Sequence, residues 1–116
     1  MSLHHARPGE RIDIRPLGAA LRDTPSQALV RSDQIEVLRL ILKAGDIQPS
    51  HEVAASAITL QCLEGQAMLD AYGVSQALSP GELVFLAAGV PHRLSAITDC
   101  AILLTLCLDR GPIPPR

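Results

Sequence analysis

Proline and glycine interrupt this chain so often that no long regular element fits into it. Nine prolines and eight glycines are spread over 116 residues. Proline breaks helix interiors and central strands, and glycine is the residue of turns and left-handed backbone. Between the breaks stand short apolar runs at residues 35–43, 57–63, 66–71, 74–78, 82–86, 92–97 and 101–108. Gly65, Gly73, Pro80-Gly81 and Gly89-Val90-Pro91 separate most of them. In residues 35–43 the even positions (Glu36, Leu38, Leu40, Leu42) and the odd ones (Ile35, Val37, Arg39, Ile41) are both mostly apolar. A strand covered on both faces reads this way. A short helix gives the same pattern, but Gly45 stops the run and no cap opens it. Short runs of this kind, spaced by turn signals, describe an all-β sandwich or barrel.

The ends differ from the middle. Residues 1–26 form a polar leader and arm with Pro8, Pro16, Gly18 and Pro25, and leave room for a turn of helix around residues 19–22. Residues 27–109 hold the expected barrel. Residues 110–116 carry Pro112, Pro114 and Pro115 and are expected as an extended tail.

Composition narrows the partners. Hydrophobic residues make up 47% and charged residues 19%, a globular balance for one domain. Ten Lys and Arg against twelve Asp and Glu give a net charge of −2, so there is no basic footprint for nucleic acid. Tyr72 and Phe85 are the only aromatics, which excludes base-stacking platforms and aromatic cages. No apolar run approaches the roughly 18 to 20 residues of a spanning helix, so no membrane partner is expected. Cys62, Cys100 and Cys107 are odd in number, form no CxxC pair and lie in apolar runs. They read as free thiols in a reducing compartment. With a polar start carrying His4, His5, Arg7 and Pro8, the expectation is a cytoplasmic protein.

Two stretches carry more. The first begins at Gly45, reaches His51 after five residues and closes on Leu63-Glu64-Gly65. The second runs Gly81-Glu82, then apolar residues 83–86, then Gly89-Val90-Pro91-His92. Together they resemble the two motifs of the cupin superfamily, over about residues 35–108. The resemblance implies a single-domain jelly-roll β-barrel, all-β, and a homodimer. The strand expected at residues 101–108 is apolar on both faces and needs cover on each, which asks for the same pairing. A full first motif has a second His two residues after the first, and a Glu seven residues before its closing Gly. Val53 and Ile58 stand there. Ala87 and Ala96 replace a Pro and an Asn of the usual second motif. Of the family's three His and one Glu, His51 and His92 are left as a weak metal pair for a divalent ion such as Fe, Mn, Zn or Ni.

The expected pocket is His51, His92, Ile58, Leu60 and Cys62. The last three share one strand face and read either as a pocket wall or as barrel core, and Cys62 is the one conceivable third metal ligand. Either His could also serve as a general acid or base, although no carboxylate partner is evident. Phe85 and Cys107 are expected in the core, and Tyr72, beside Gly73, toward solvent. The expected function is binding of a small molecule in the barrel. The alternative is a metal-dependent dioxygenase, isomerase or lyase with an incomplete ligand set.

Overall fold

Short runs that each carry an apolar face can bury it only by pairing side by side and stacking, and this chain does so. A computed structural model describes residues 4–48 and 56–108. Among them, a 3-10 helix (Gly18–Asp23) precedes nine strands: β1 (Gln27–Arg31), β2 (Ile35–Leu42), β3 (Ile47–Gln48), β4 (Ala57–Glu64), β5 (Ala67–Ala71), β6 (Val74–Leu78), β7 (Leu83–Leu86), β8 (His92–Ala96) and β9 (Cys100–Cys107). They form two antiparallel sheets, ordered β1-β2-β9-β4-β7 and β3-β8-β5-β6. The fold is the all-β jelly roll expected from the sequence.

Register decides what faces inward. Across β4, β9 and β2 the pairs Ile58↔Leu106↔Glu36, Leu60↔Leu104↔Leu38 and Cys62↔Ile102↔Leu40 form successive rows on one face. From the other sheet Leu69, Leu94, Ala67 and Ala96 meet them. Leu60, Leu69, Leu86 and Ile102 are fully buried, each contributing about 1.5–3 kcal/mol by leaving water. Both-sided cover of residues 35–43 takes a specific form. The inward side of β2 joins the core, and its outward side lies beneath the N-terminal arm and the 3-10 helix, where Arg39 and Leu21 are buried.

Polar contacts fix that helix. The Glu64 carboxylate accepts the backbone N–H groups of Leu17 and Gly18 at 2.8 and 2.9 Å, covering donors that a helix start leaves open. At its other end Arg22 donates to Asp99, whose carboxylate also accepts the Ala44 N–H at 2.8 Å.

Two turns are conformationally demanding. At Gly65, between β4 and β5, φ is +74°, and an added Cβ would collide with the Asp99 carbonyl oxygen and lie 2.8 Å from Cys100 Cα. Only glycine fits there. Between β5 and β6, Tyr72 and Gly73 have φ of +54° and +73°, the two-residue primed turn that matches strand twist.

Two expectations are corrected by the register. Phe85 lies opposite Thr59 on the outer face of β4 and β7, and is 64% exposed rather than in the core. Cys107 ends β9 on the outward side and is exposed, not buried. β1 and β3 also lie outside the expected runs, because β1 is short and carries a bulge and β3 has two residues.

Candidate functional site

His92 opens β8. The alternation His92, Leu94, Ala96 turns it toward the barrel interior, opposite Ala71 of β5. Its Nδ1 lies 3.1 Å from the Val90 carbonyl oxygen. A carbonyl only accepts, so Nδ1 carries the proton in this bond and a neutral ring keeps Nε2 as an acceptor. The loop that delivers His92 is tied from the other side. The Tyr72 hydroxyl accepts the Ala87 N–H at 3.0 Å, although Tyr72 is 62% exposed.

His92 borders a cavity of about 210 Å³ between the two sheets. Its apolar wall is Leu38, Leu40, Ile58, Leu104 and Leu106, and its polar groups are Glu36, Gln48 and His92. Glu36 sits in the first inward row of β2, and its Oε2 accepts from Arg31 Nε at 2.9 Å. Gln48 reaches the site because β3 pairs with β8, setting it beside Leu94. Behind His92, a second space bordered by Ser56, Ala87 and Val90 holds about 10 Å³, near the size of one water.

The expected pocket residues divide accordingly. Ile58 and His92 line the cavity together. Leu60 is packed in the core at 2% exposure. Cys62 shares the face of Ile58 but lies four residues further along β4, roughly 13 Å away at the strand rise. Its thiol donates to the Gly65 carbonyl at 3.3 Å, and burial raises its pKa above the ordinary thiol value. His51 lies outside the described residues. Glu36 and Gln48 were not singled out from the sequence. The usable signal for Glu36 was a lone carboxylate among Leu38, Leu40 and Leu42 on one face of β2. It is also the carboxylate in the cavity of His92 that no sequence motif indicated.

Among the described residues no group of three or more His, Cys, Asp or Glu is arranged to hold a metal ion. The cavity offers one imidazole and one carboxylate already engaged by Arg31, short of the three or four protein ligands of a tight site. The described donor set does not fit a firmly held metal. Nor is there, among those residues, a helix long and apolar enough to cross a membrane.

A two-sheet antiparallel jelly roll with a ligand-sized cavity between the sheets defines a class, and solved structures state which one: the chain has the cupin fold. A cupin superfamily protein from Desulfitobacterium hafniense is similar with a TM-score of 0.70 at 16% identity, over 86% of this chain and 100% of that one. An RmlC-like cupin protein from Desulfovibrio desulfuricans gives 0.65 at 21% identity, over 92% and 96%. A conserved protein of unknown function from Streptococcus pyogenes gives 0.74 at 19% identity, over 96% and 98%. No family model matches the sequence, and no curated protein matches it.

Proposed function

We propose that this chain is a binding protein for a small, mostly apolar molecule held in the barrel, with its polar group turned toward Glu36, Gln48 and His92. The observation that carries the reading is the cavity itself, lined by five aliphatic side chains and by the polar groups of Glu36, Gln48 and His92. This is the usual make-up of a small-molecule site. Size and polarity narrow the ligand. An apolar cavity of about 150 Å³ accommodates benzene, so about 210 Å³ suits a six-carbon body with a short polar head. Carboxylate oxygens at Glu36 accept hydrogen bonds, and the His92 tautomer with its proton on Nδ1 accepts at Nε2. Both favour a ligand that donates, such as a phenol, a cyclic alcohol or an amine.

The test is a thermal-shift and calorimetric titration with phenol, cyclohexanol and benzylamine. The reading expects saturable binding by at least one of them, weakened in His92→Ala and abolished when Leu104→Phe fills the cavity. Binding that is absent for all three, or indifferent to both substitutions, overturns it.

A further inference from the structure

A second cavity lies outside the barrel, on the opposite side of β2. Residues 4–13 fold back across the outer face of β1 and β2, pinned where the Ala6 N–H donates to the Leu29 carbonyl at 2.8 Å. A tight turn holds their shape: the Glu10 N–H donates to the Arg7 carbonyl and the Glu10 carboxylate accepts the Arg7 N–H, both at 2.9 Å. Between this arm and the sheet is a space of about 240 Å³. Arg39 lines it. Strand alternation sends Arg39 outward while Leu38 and Leu40 face the barrel. It is 9% exposed, and its Nε has no hydrogen-bond partner among the described residues.

A buried guanidinium donor without an acceptor is costly, because its N–H has left water and gained nothing. The nearby acids do not supply the acceptor. Glu10 is held by His4 at 3.0 Å and by the Arg7 N–H. Asp13 takes two bonds from the Arg15 side chain, at 2.7 and 3.0 Å. Arg39 lines the cavity, and a guanidinium matches a planar pair of oxygens, which two of its N–H groups bind through parallel bonds.

We propose that this cavity binds a small organic monocarboxylate, its oxygens on Arg39 and its apolar body against Ile12, Leu29 and Ala6. Glu10 and Asp13 stand against Arg11 and Arg39 in the lining, so the cavity has no excess of positive charge to hold a phosphate dianion and suits a monoanion better. The volume exceeds the roughly 150 Å³ that holds benzene, which suits benzoate or a short branched-chain acid. The site is independent of the barrel reading, since it shares no side chain with that cavity.

The experiment titrates benzoate, isovalerate and inorganic phosphate into the full chain, read by calorimetry and backbone-amide NMR. The proposal expects saturable shifts at Ala6, Ile12 and Leu29 with a carboxylate, and weaker binding of phosphate. Arg39→Lys keeps the charge but loses the fork, and should weaken binding at least about tenfold. Ile12→Asp, at a half-exposed arm position, puts a repelling charge on the apolar wall and should weaken it about as much without disturbing the sheet. His92→Ala should leave the affinity unchanged. The proposal is overturned by no saturable carboxylate binding up to about 10 mM, by equal affinity in both variants, by shifts confined to barrel residues, or by tighter binding of phosphate. It is equally overturned if the chain is a dimer whose second copy occupies the Arg39 cavity.

Discussion

Arg39 should cost the ligand-free protein stability, and Arg39→Met should return it. Methionine keeps an unbranched stem of similar reach and removes the buried donors. An unsatisfied buried group of this kind costs about 1–3 kcal/mol. Against that gain stands the attraction between Arg39 and Asp13, which helps hold the Asp13 carboxyl well below its ordinary range, behind the larger effect of Arg15. Asp13 is 61% exposed, so solvent screens this attraction, and its loss leaves the gain in the lower part of that range. The net gain is about 1–2 kcal/mol. At about 4 °C per kcal/mol for a chain of this size, the melting temperature rises by about 4–8 °C. Urea unfolding followed by circular dichroism measures it, the absence of tryptophan ruling out the usual fluorescence probe. Arg93→Met is the control, with its side chain 59% exposed and 3.7 Å from Asp70, and it should change stability by no more than about 0.5 kcal/mol. Benzoate should then reverse the order. At a hundredfold excess over its dissociation constant it stabilises the parent by about 2.7 kcal/mol and leaves Arg39→Met unaffected. A variant no more stable than the parent would refute the reasoning, since Arg39 would then be satisfied in the folded chain.

Four further outcomes are expected. Burial raises the Cys62 thiol and pushes Cys100 up to about 12, whereas Cys107 is exposed; a disulfide-exchange reagent near pH 8 should therefore titrate one thiol quickly in the native protein and three in urea, and rapid reaction of all three in the native state would count against the packing. Gly65→Ala should destabilise by about 2–5 kcal/mol, adding left-handed strain to overlap with Asp99 and Cys100, while Gly73→Ala, with open space at its Cβ, should lose only about 1–2 kcal/mol; equal losses in urea melts would remove the overlap from the account. Plasma mass spectrometry on protein purified without a nickel column should find metal well below one ion per chain, and a near-stoichiometric ion lost in the His51→Ala, His92→Ala double variant would show a complete ligand set. If two copies pair through edge strand β7, where Leu83 and Phe85 are 60% and 64% exposed, Phe85→Ser should shift a sedimenting dimer to monomer, and a parent that sediments as a monomer ends that expectation.

Much of the barrel was legible because glycine and proline mark where each run must stop. Val74–Leu78 forms β6 with the expected bounds, and the other expected runs end within two residues of their strands. Facing was harder to read. Where both sides of a run are apolar, only the partner strand tells inward from outward, and Phe85 and Cys107 were misplaced for that reason. The site was partly legible. Gly89-Val90-Pro91-His92 pointed to His92, but Gln48 enters through a two-residue strand that leaves no periodicity. The most informative unused signal was the pair of charges in β2. Glu36 and Arg39 are three residues apart, so alternation sends one into the barrel and the other out beneath the arm.

The hydrogen bond from Ala6 to Leu29 has a consequence for how the molecule behaves in a crowd. β1 is an edge strand, and its Leu29 carbonyl, at the irregularity where no β2 residue pairs with Leu29, accepts this bond from the arm. An open edge is a template for another chain's backbone, and natural proteins blunt such edges with charges, bulges or covering loops. Here a bulge and the folded-back arm do it together. A protease that clipped the chain after Asp13 would therefore do more than unroof a cavity: it would leave a sheet margin able to recruit the next molecule, and turn a loss of ligand into a tendency to aggregate.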